Sequence, residues 1–463
     1  MAGNGASPAE RPSPLSALVG AFVALFEQML PDPYLLAVIL TLLTAVLALI
    51  FAPHHAPMQL LGAWYSGIFN ILEFAFQMIL ILVTGYALAN ATPVRRVLES
   101  IASLASTPRQ AVVVTFLVSA LACWLNWGFG LIVAALMARE IAKRVRVDFG
   151  WLVAAAYSGF LIWASGLSSS IALAQATPGS SLNIVHKLTG VIVPLNQSIF
   201  APFNLVPVVI LLIAIPLIYT LMQPPESSSV FADPERLRAE DEPPPIGPPR
   251  LTFASALENA WILNLILALA GIAYIGVTWA TTGFSLDIKS VIFIFLILGL
   301  LLHWRPIAYV GAVNNAARIT GPLMLQYPLY GGIMGIMTGT GLAGVIAQGF
   351  VAFSTATTLP FWSYIASVII SLFVPSGGGH WAVQGPFVVP AALHLHASQA
   401  ASSMGVAMGE EVANMIQPFW ALPIIAIAGI SIRRVMGFTV ISFAVALVLY
   451  SLSLILLAPR LAQ

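Results

Sequence analysis

The chain has 463 residues, of which 59% are hydrophobic and 8% charged, with a formal net charge of +1. Soluble domains carry about 25% charged residues, so an ordinary soluble globule is excluded, and no basic excess or acidic run points to nucleic acid or a solvating tail. The single cysteine, Cys123, excludes an internal disulfide framework.

Residues 1–30 read as an N-terminal tail running into an amphipathic, interfacial helix. Glu27 and Gln28 interrupt its apolar stretch and Pro31-Asp32-Pro33 stops it; a further span is the alternative. A cleaved signal peptide is not expected. Apolar runs long enough to cross a hydrocarbon core of about 30 Å follow near 33–52, 66–92, 150–175, 200–222, 259–281, 290–303, 320–350, 405–430 and 436–457. They predict an all-α polytopic membrane protein of about 9–11 spans. A first membrane half, 31–222, and a second, 258–463, flank the segment 223–257. Its stretch QPPESSSVFADPERLRAEDEPPPIGPPR is rich in proline and charge, a composition that predicts an extended or disordered cytoplasmic linker.

The two halves align as distant copies. Gln77 in FAFQMILILVTGYAL and Gln326 in PLMLQYPLYGGIMGI lie 249 residues apart. Asn126 in WLNWGFGL follows the first by 49 residues, and Ser376 in VPSGGGHW follows the second by 50. Internal repeats are a hallmark of secondary transporters. Charge then sets topology. Arg95, Arg96 and Arg109 precede the segment 111–142, and Lys143, Arg144 and Arg146 follow it. A single crossing would put the clusters on opposite sides, against the positive-inside rule, so 111–142 is expected to enter from the cytoplasm and turn back. No lysine or arginine lies between Arg318 and Arg433, so 361–397 is expected as a hairpin entered from outside. The halves thus form an inverted repeat, each with a re-entrant hairpin and a broken transmembrane helix.

Four breaks in the oily pattern follow, two per half. A helix broken at membrane depth exposes N–H and C=O groups at several kcal/mol each, and survives only where it lines a cavity or meets a ligand. The candidate substrate- or ion-binding residues are Asn126 and Gly128; Ser165, Gly166, Ser168 and Ser169; Ser376, Gly377, Gly378, Gly379, His380 and Gln384; and Asn414 and Gln417. These segments hold no lysine or arginine, so an anion there relies on neutral donors, helix-end dipoles or a bound cation. Trp124, Trp127, Trp163, Trp381 and Trp420 stand close by and suit a small substrate with an apolar portion. The plainer readings are helix–helix packing for the small residues and interface anchoring for the tryptophans. Acids inside spans are functional suspects by default. Glu73 and Glu410 are therefore candidate proton carriers, with Glu411 beside the latter; the alternatives are a structural pair for Glu73 and a solvated span end for Glu410 and Glu411. No metal-ligand motif is present, and the possible coupling ions are Na+, at the hairpin tips, or H+.

The segments VPSGGGHWAVQGPFVVPAA, NMIQPFWALPIIAIAGI, CWLNWGFGLIVAALMAREIAKRV, ATPG at 176–179 and LPDPYLLAVILTLLT resemble the short-chain fatty acid transporter family, from about residue 30 to 457. The resemblance implies uptake of short-chain acids such as butyrate and acetoacetate. It further implies a homodimer in the inner membrane, with a scaffold domain, a mobile transport domain and an elevator-like motion. The regions around Asn126, Ser165, Ser376 and Gln417 would hold substrate, and no cofactor is implied. The chain is not expected to be an enzyme: WASG at 163–166 has Trp163 where an intramembrane serine protease motif carries glycine, and there is no HExxH. Transport of a dicarboxylate, or passive flux through a channel or uniporter, are the competing functions.

Overall fold

The computed structural model describes residues 32–177, 180, 182–241, 252–283, 288–318 and 320–458; the tail and the interfacial helix expected over 14–30 lie outside them. The first half opens with α1 (Pro33–Phe51), whose N-cap Asp32 accepts from the Tyr34 N–H at 2.9 Å. It continues through α2 (Pro57–Asn70), α3 (Leu72–Ala89) and α4 (Thr92–Ala102). A capping box of Thr107 and Gln110 starts α5 (Pro108–Leu125). Asn126 alone separates α5 from α6 (Trp127–Ala142), for which it is the N-cap. Asp148 caps α7 (Phe149–Ser158), which tightens into a 3₁₀ turn at Gly159–Ile162. The short α8 (Ser170–Ala176) and α9 (Ile184–Thr189) then lead to α10 (Pro202–Leu221). Between the halves lie α11 (Pro234–Asp241) and α12 (Phe253–Glu258).

The second half runs α13 (Trp261–Thr282), α14 (Ile288–Leu302), α15 (Pro306–Ala317), α16 (Gly321–Gly339) and α17 (Leu342–Val351). It goes on through α18 (Leu359–Ser371), α19 (Gly377–His394), α20 (Gln399–Ala413), α21 (Ala421–Ala428) and α22 (Ile432–Leu456). The order long helix, connector, paired helices, broken helix and long helix therefore occurs twice, as α3–α10 and as α16–α22.

The helices sort into two bundles. One holds α1–α3 and α13–α16; the other holds α5–α8, α10 and α18–α22, with α4 and α17 as connectors. Glycine sets the closest approaches. A Cβ at Gly67, Gly331 or Gly335 would collide across the α2–α16 contact, and one at Gly405 or Gly409 would strike α18. Among the described residues six stretches are long and apolar enough to cross a membrane, and the α16–α17 pair, bent by 58°, raises this to seven. The expected runs 150–175 and 405–430 are broken where their polar residues, Ser165–Ser169 and Asn414–Gln417, predicted a break, and 290–303 is a helix of 15 residues, α14. Apolar length alone does not distinguish a full span from two half-helices around a break.

The bases of the two helix pairs differ in charge. Arg95 and Arg144, on opposite flanks of α5–α6, share Glu99 at 3.3 and 3.8 Å, so the two flanks of the pair lie side by side. The start of α18 and the end of α19 meet in an uncharged cluster of Leu359, Ala392 and Ala397.

The described residues of 223–257 depart from the extended or disordered state that the composition suggested, with helices at Pro234–Asp241 and Phe253–Glu258. The described part docks. Arg139 on α6 donates to Glu240 at 3.2 Å, to the Leu237 carbonyl at 3.3 Å and to the Ile427 carbonyl at 2.8 Å. Asn315 on α15 donates to the Glu240 carbonyl at 2.7 Å. Arg434 pairs with Asp148 and donates to the Ser228 carbonyl at 2.8 Å, while Asp148 also accepts from the Val230 N–H. Glu240, which looked like part of a solvated linker, is paired with Arg139 at the basic base of the helix pair, and Glu226 pairs with Arg146 at the surface.

Candidate functional site: a chamber of broken helices

The four breaks converge on Trp163. Its ring stacks on Phe160, with centroids 5.6 Å apart, and lies 6.5 Å from Trp127 at the α5–α6 tip and 6.3 Å from Trp420 after the α20 break. A Cβ on Gly377, the first residue of α19, would touch the same ring. Trp163 Nε1 donates at 3.0 Å to the Asn414 side-chain oxygen, with the amide oriented by its partners. Residues 200 positions and more apart in the chain thus share one wall. Of the other tryptophans named from sequence, Trp124 packs on Phe200, and Trp381 is buried with its Nε1 donating to the Leu182 carbonyl at 2.9 Å.

The first tip is fixed on every side. Asn126 Oδ1 accepts from the Phe129 N–H at 2.9 Å, and Ser168 Oγ accepts from the Trp127 N–H at 2.9 Å. The Leu167 N–H donates to the Trp124 carbonyl at 2.7 Å. Gly130 and Gly166 are small by necessity: a Cβ on either would fall onto the backbone of Cys123 or Trp124. Gly128 is buried against Ile81, and Ser169 caps α8 through the Ala172 N–H.

The second tip is looser. Ser376 Oγ caps α19 through the Gly379 N–H at 3.4 Å, and Ser376, Gly378 and Gly379 are half-buried. His380 is buried one turn in, with Nε2 2.6 Å from Gln384 Oε1 and 3.3 Å from Ser367 Oγ. Gln384 Nε2 donates to the Ser363 carbonyl at 2.8 Å, which fixes its oxygen toward the ring. His380 Nδ1 has no protein partner.

Broken helices leave carbonyls open, and neighbouring side chains close them. Asn204 on α10 donates to the Ser165 and Ile199 carbonyls at 3.0 and 2.8 Å. Tyr157 donates to the Asn414 carbonyl at 2.7 Å and Thr439 to that of Met415 at 2.6 Å. Glu411 performs the reverse task. It accepts from the N–H groups of Ala164 at 2.8 Å and Ser165 at 3.0 Å, and from Ser165 Oγ at 2.6 Å. Sequence reasoning missed Asn204, Tyr157 and Thr439, whose only signal is a polar atom inside an apolar run. It also missed Phe419, which sits between the bundles against Tyr327 and Tyr330 at 4.7 and 5.2 Å.

The three acids separate. Glu73 stays outside the chamber, 76% exposed, with Lys289 at 3.2 Å and Gln77 at 3.0 Å, so its partner is structural. Glu410 and Glu411 are fully buried rather than solvated at a span end. Among the described residues Glu410 has no hydrogen-bond partner on either oxygen, and neither has Gln417 on its amide, although both are buried. An unmet buried polar group costs about 1–3 kcal/mol, which marks both positions for a ligand, ion or proton. Among the described residues no cluster of three or more His, Cys, Asp or Glu is placed to hold a metal ion.

Comparison with known proteins gives the family. The family model described as short chain fatty acid transporter matches residues 15–457. A protein of Escherichia coli (strain K12), provisionally named a short-chain fatty acid transporter, is 42% identical over 428 residues, 92% of this chain and 96% of its own length. One of Haemophilus influenzae with the same provisional name is 38% identical over 431 residues, 91% of this chain and 95% of its own. Among solved structures, the YdaH transporter of Alcanivorax borkumensis aligns with a TM-score of 0.43 at 17% identity, covering 93% of this chain and 100% of that one. MtrF of Neisseria gonorrhoeae, titled an antimetabolite efflux pump, aligns with a TM-score of 0.37 at 14% identity, covering 94% and 97%. Neither score reaches the level at which a shared fold is argued. On the family match and the two full-length relatives, this multi-pass membrane protein belongs to the short chain fatty acid transporter family.

Proposed function

We propose that the protein is a secondary active transporter of short-chain monocarboxylates of the butyrate or acetoacetate kind, coupled to an ion and working by an elevator-type alternating-access motion. One observation carries the reading: the first turns of α6 and α19 both flank Trp163. Helix N-termini supply N–H donors and positive dipole ends for a carboxylate, without a fixed cation. The rings of Trp127, Trp163 and Trp420 give an apolar wall for a short acyl chain. Gln417, with an unmet buried amide, is the side chain placed to add a donor.

The bundle of α1–α3 and α13–α16 acts as scaffold and the bundle of α5–α8 and α18–α22 as the moving body. The basic base of α5–α6 favours a re-entrant pair entered from the cytoplasm; the uncharged base of α18–α19 favours one entered from outside. The repeated element order supports an internal repeat, and the contrast in charge between the two bases makes its halves inverted; the N-terminus is then cytoplasmic and the membrane the cell's inner one. A homodimer joined through the scaffold bundle completes the reading.

The test is uptake of labelled butyrate into proteoliposomes, with sodium and pH gradients imposed separately and protein-free liposomes as control. Accumulation above the control under one gradient is expected. Equilibration without accumulation means a uniporter or channel, and accumulation of a dicarboxylate instead reassigns the substrate.

A further inference from the structure

We infer that Glu410 is the residue through which transport is coupled to protons, taking up one proton on one side of the membrane and releasing it on the other. This rests on the transport function proposed above and names its coupling ion.

Two adjacent residues of α20 carry buried carboxylates with opposite surroundings. Glu411 accepts three hydrogen bonds from the Ala164–Ser165 loop, so its charge is met by donors. Glu410 is equally buried, and neither oxygen has a donor. Donors for one charge do not hold two, and like charges side by side repel. A proton on Glu410 removes the second charge without rearranging the loop held by the first.

The elements packed on α20 supply no cation to Glu410. They are α18, α19, α22, α8 and the 3₁₀ turn at Gly159–Ile162. Their titratable groups are Tyr364 on α18, His380 and His394 on α19, and Tyr450 on α22, with Arg433 and Arg434 at the first turn of α22. Tyr450 OH lies 3.2 Å from Ser165 Oγ, on the Glu411 side, and Arg434 pairs with Asp148. The 3₁₀ turn and α8 carry no titratable side chain.

Position ties the proton to the chamber. Asn414 is four residues beyond Glu410 on the same helix face, its backbone N–H donates to the Glu410 carbonyl at 3.1 Å, and its side chain contacts the central tryptophan. Gln417, the other buried side chain of this break with unmet polar atoms, follows three residues later. A change of charge at Glu410 is therefore felt within one turn of the substrate wall.

The experiment compares wild type with Glu410→Gln in proteoliposomes. In wild type, an inward proton gradient should drive butyrate accumulation with sodium absent. In E410Q that accumulation should fall about tenfold or more, and whatever exchange flux remains should lose its pH dependence. Sodium-driven accumulation in wild type without a proton requirement, or intact pH-driven accumulation in E410Q, overturns the inference. If E410Q does not fold, Glu410→Asp should keep coupling with a displaced pH profile, and an unchanged profile overturns it. Infrared difference spectra between acid and alkaline pH need no substrate. A carboxylic C=O band that disappears in E410Q but persists in Glu411→Gln is expected, and its persistence in E410Q overturns the assignment. Should wild type move no short-chain acid, the substrate reading fails while this spectral test still decides on Glu410.

Discussion

The two helix tips that meet at Trp163 are built to different tolerances. At Asn126 one residue makes the turn, α5 and α6 pack along each other, and Gly130 and Gly166 bring backbone against backbone. At Leu372–Ser376 five residues make the turn, α18 packs far more on α20 than on α19, and Gly378 and Gly379 stay half-buried. The contrast separates two jobs. The first tip is held as part of the wall, whereas the second is held mainly by its caps and has room to shift.

The largest effect is expected where the first tip has no room. Gly166→Val places a branched side chain on the Trp124 carbonyl and should cost about 3 kcal/mol or more, read as a large fall in melting temperature in detergent together with loss of uptake. A tolerated valine would show that the packing there is slack. Next comes Glu411→Ala, which strips the acceptor from three donors of the Ala164–Ser165 loop. About 3 kcal/mol of stability and most of the transport should be lost; a fully active variant would move the loop's support elsewhere. Ser376→Ala and Gln417→Ala should weaken uptake about tenfold, the equivalent of about 1.4 kcal/mol, at near-normal expression, and wild-type affinity in both would remove them from the chamber. The smallest effect belongs to Gly378→Ala, whose Cβ meets only Leu182 Cδ1, at 3.2 Å. Its stability should stay within about 0.5 kcal/mol of wild type. Cysteine placed at Gly378 should label faster than one at Gly128, and from the opposite side; equal rates from one side would erase the distinction between the tips.

The breaks were legible because asparagine, serine, glycine and proline are conspicuous in an oily chain, and Asn126 could be placed to the residue. What fills the breaks was not. Asn204 in α10 and Thr439 in α22 look the same in sequence whether they face lipid, a neighbouring helix or an open carbonyl. Glu73 and Glu410 illustrate the same limit. Both are acids in apolar runs, yet one is exposed beside Lys289 and the other is buried without a donor, and only tertiary packing separates them. The docked helix α11 was hidden because its charges resemble those of a solvated linker until Arg139 is brought beside them.

That docked helix changes what the chain between the halves is. Glu240 is held through its carboxylate by Arg139 on one bundle and through its carbonyl by Asn315 on the other. Any displacement of the bundles past each other must release one of these two grips. The segment is then a clasp between the two bundles rather than a spacer.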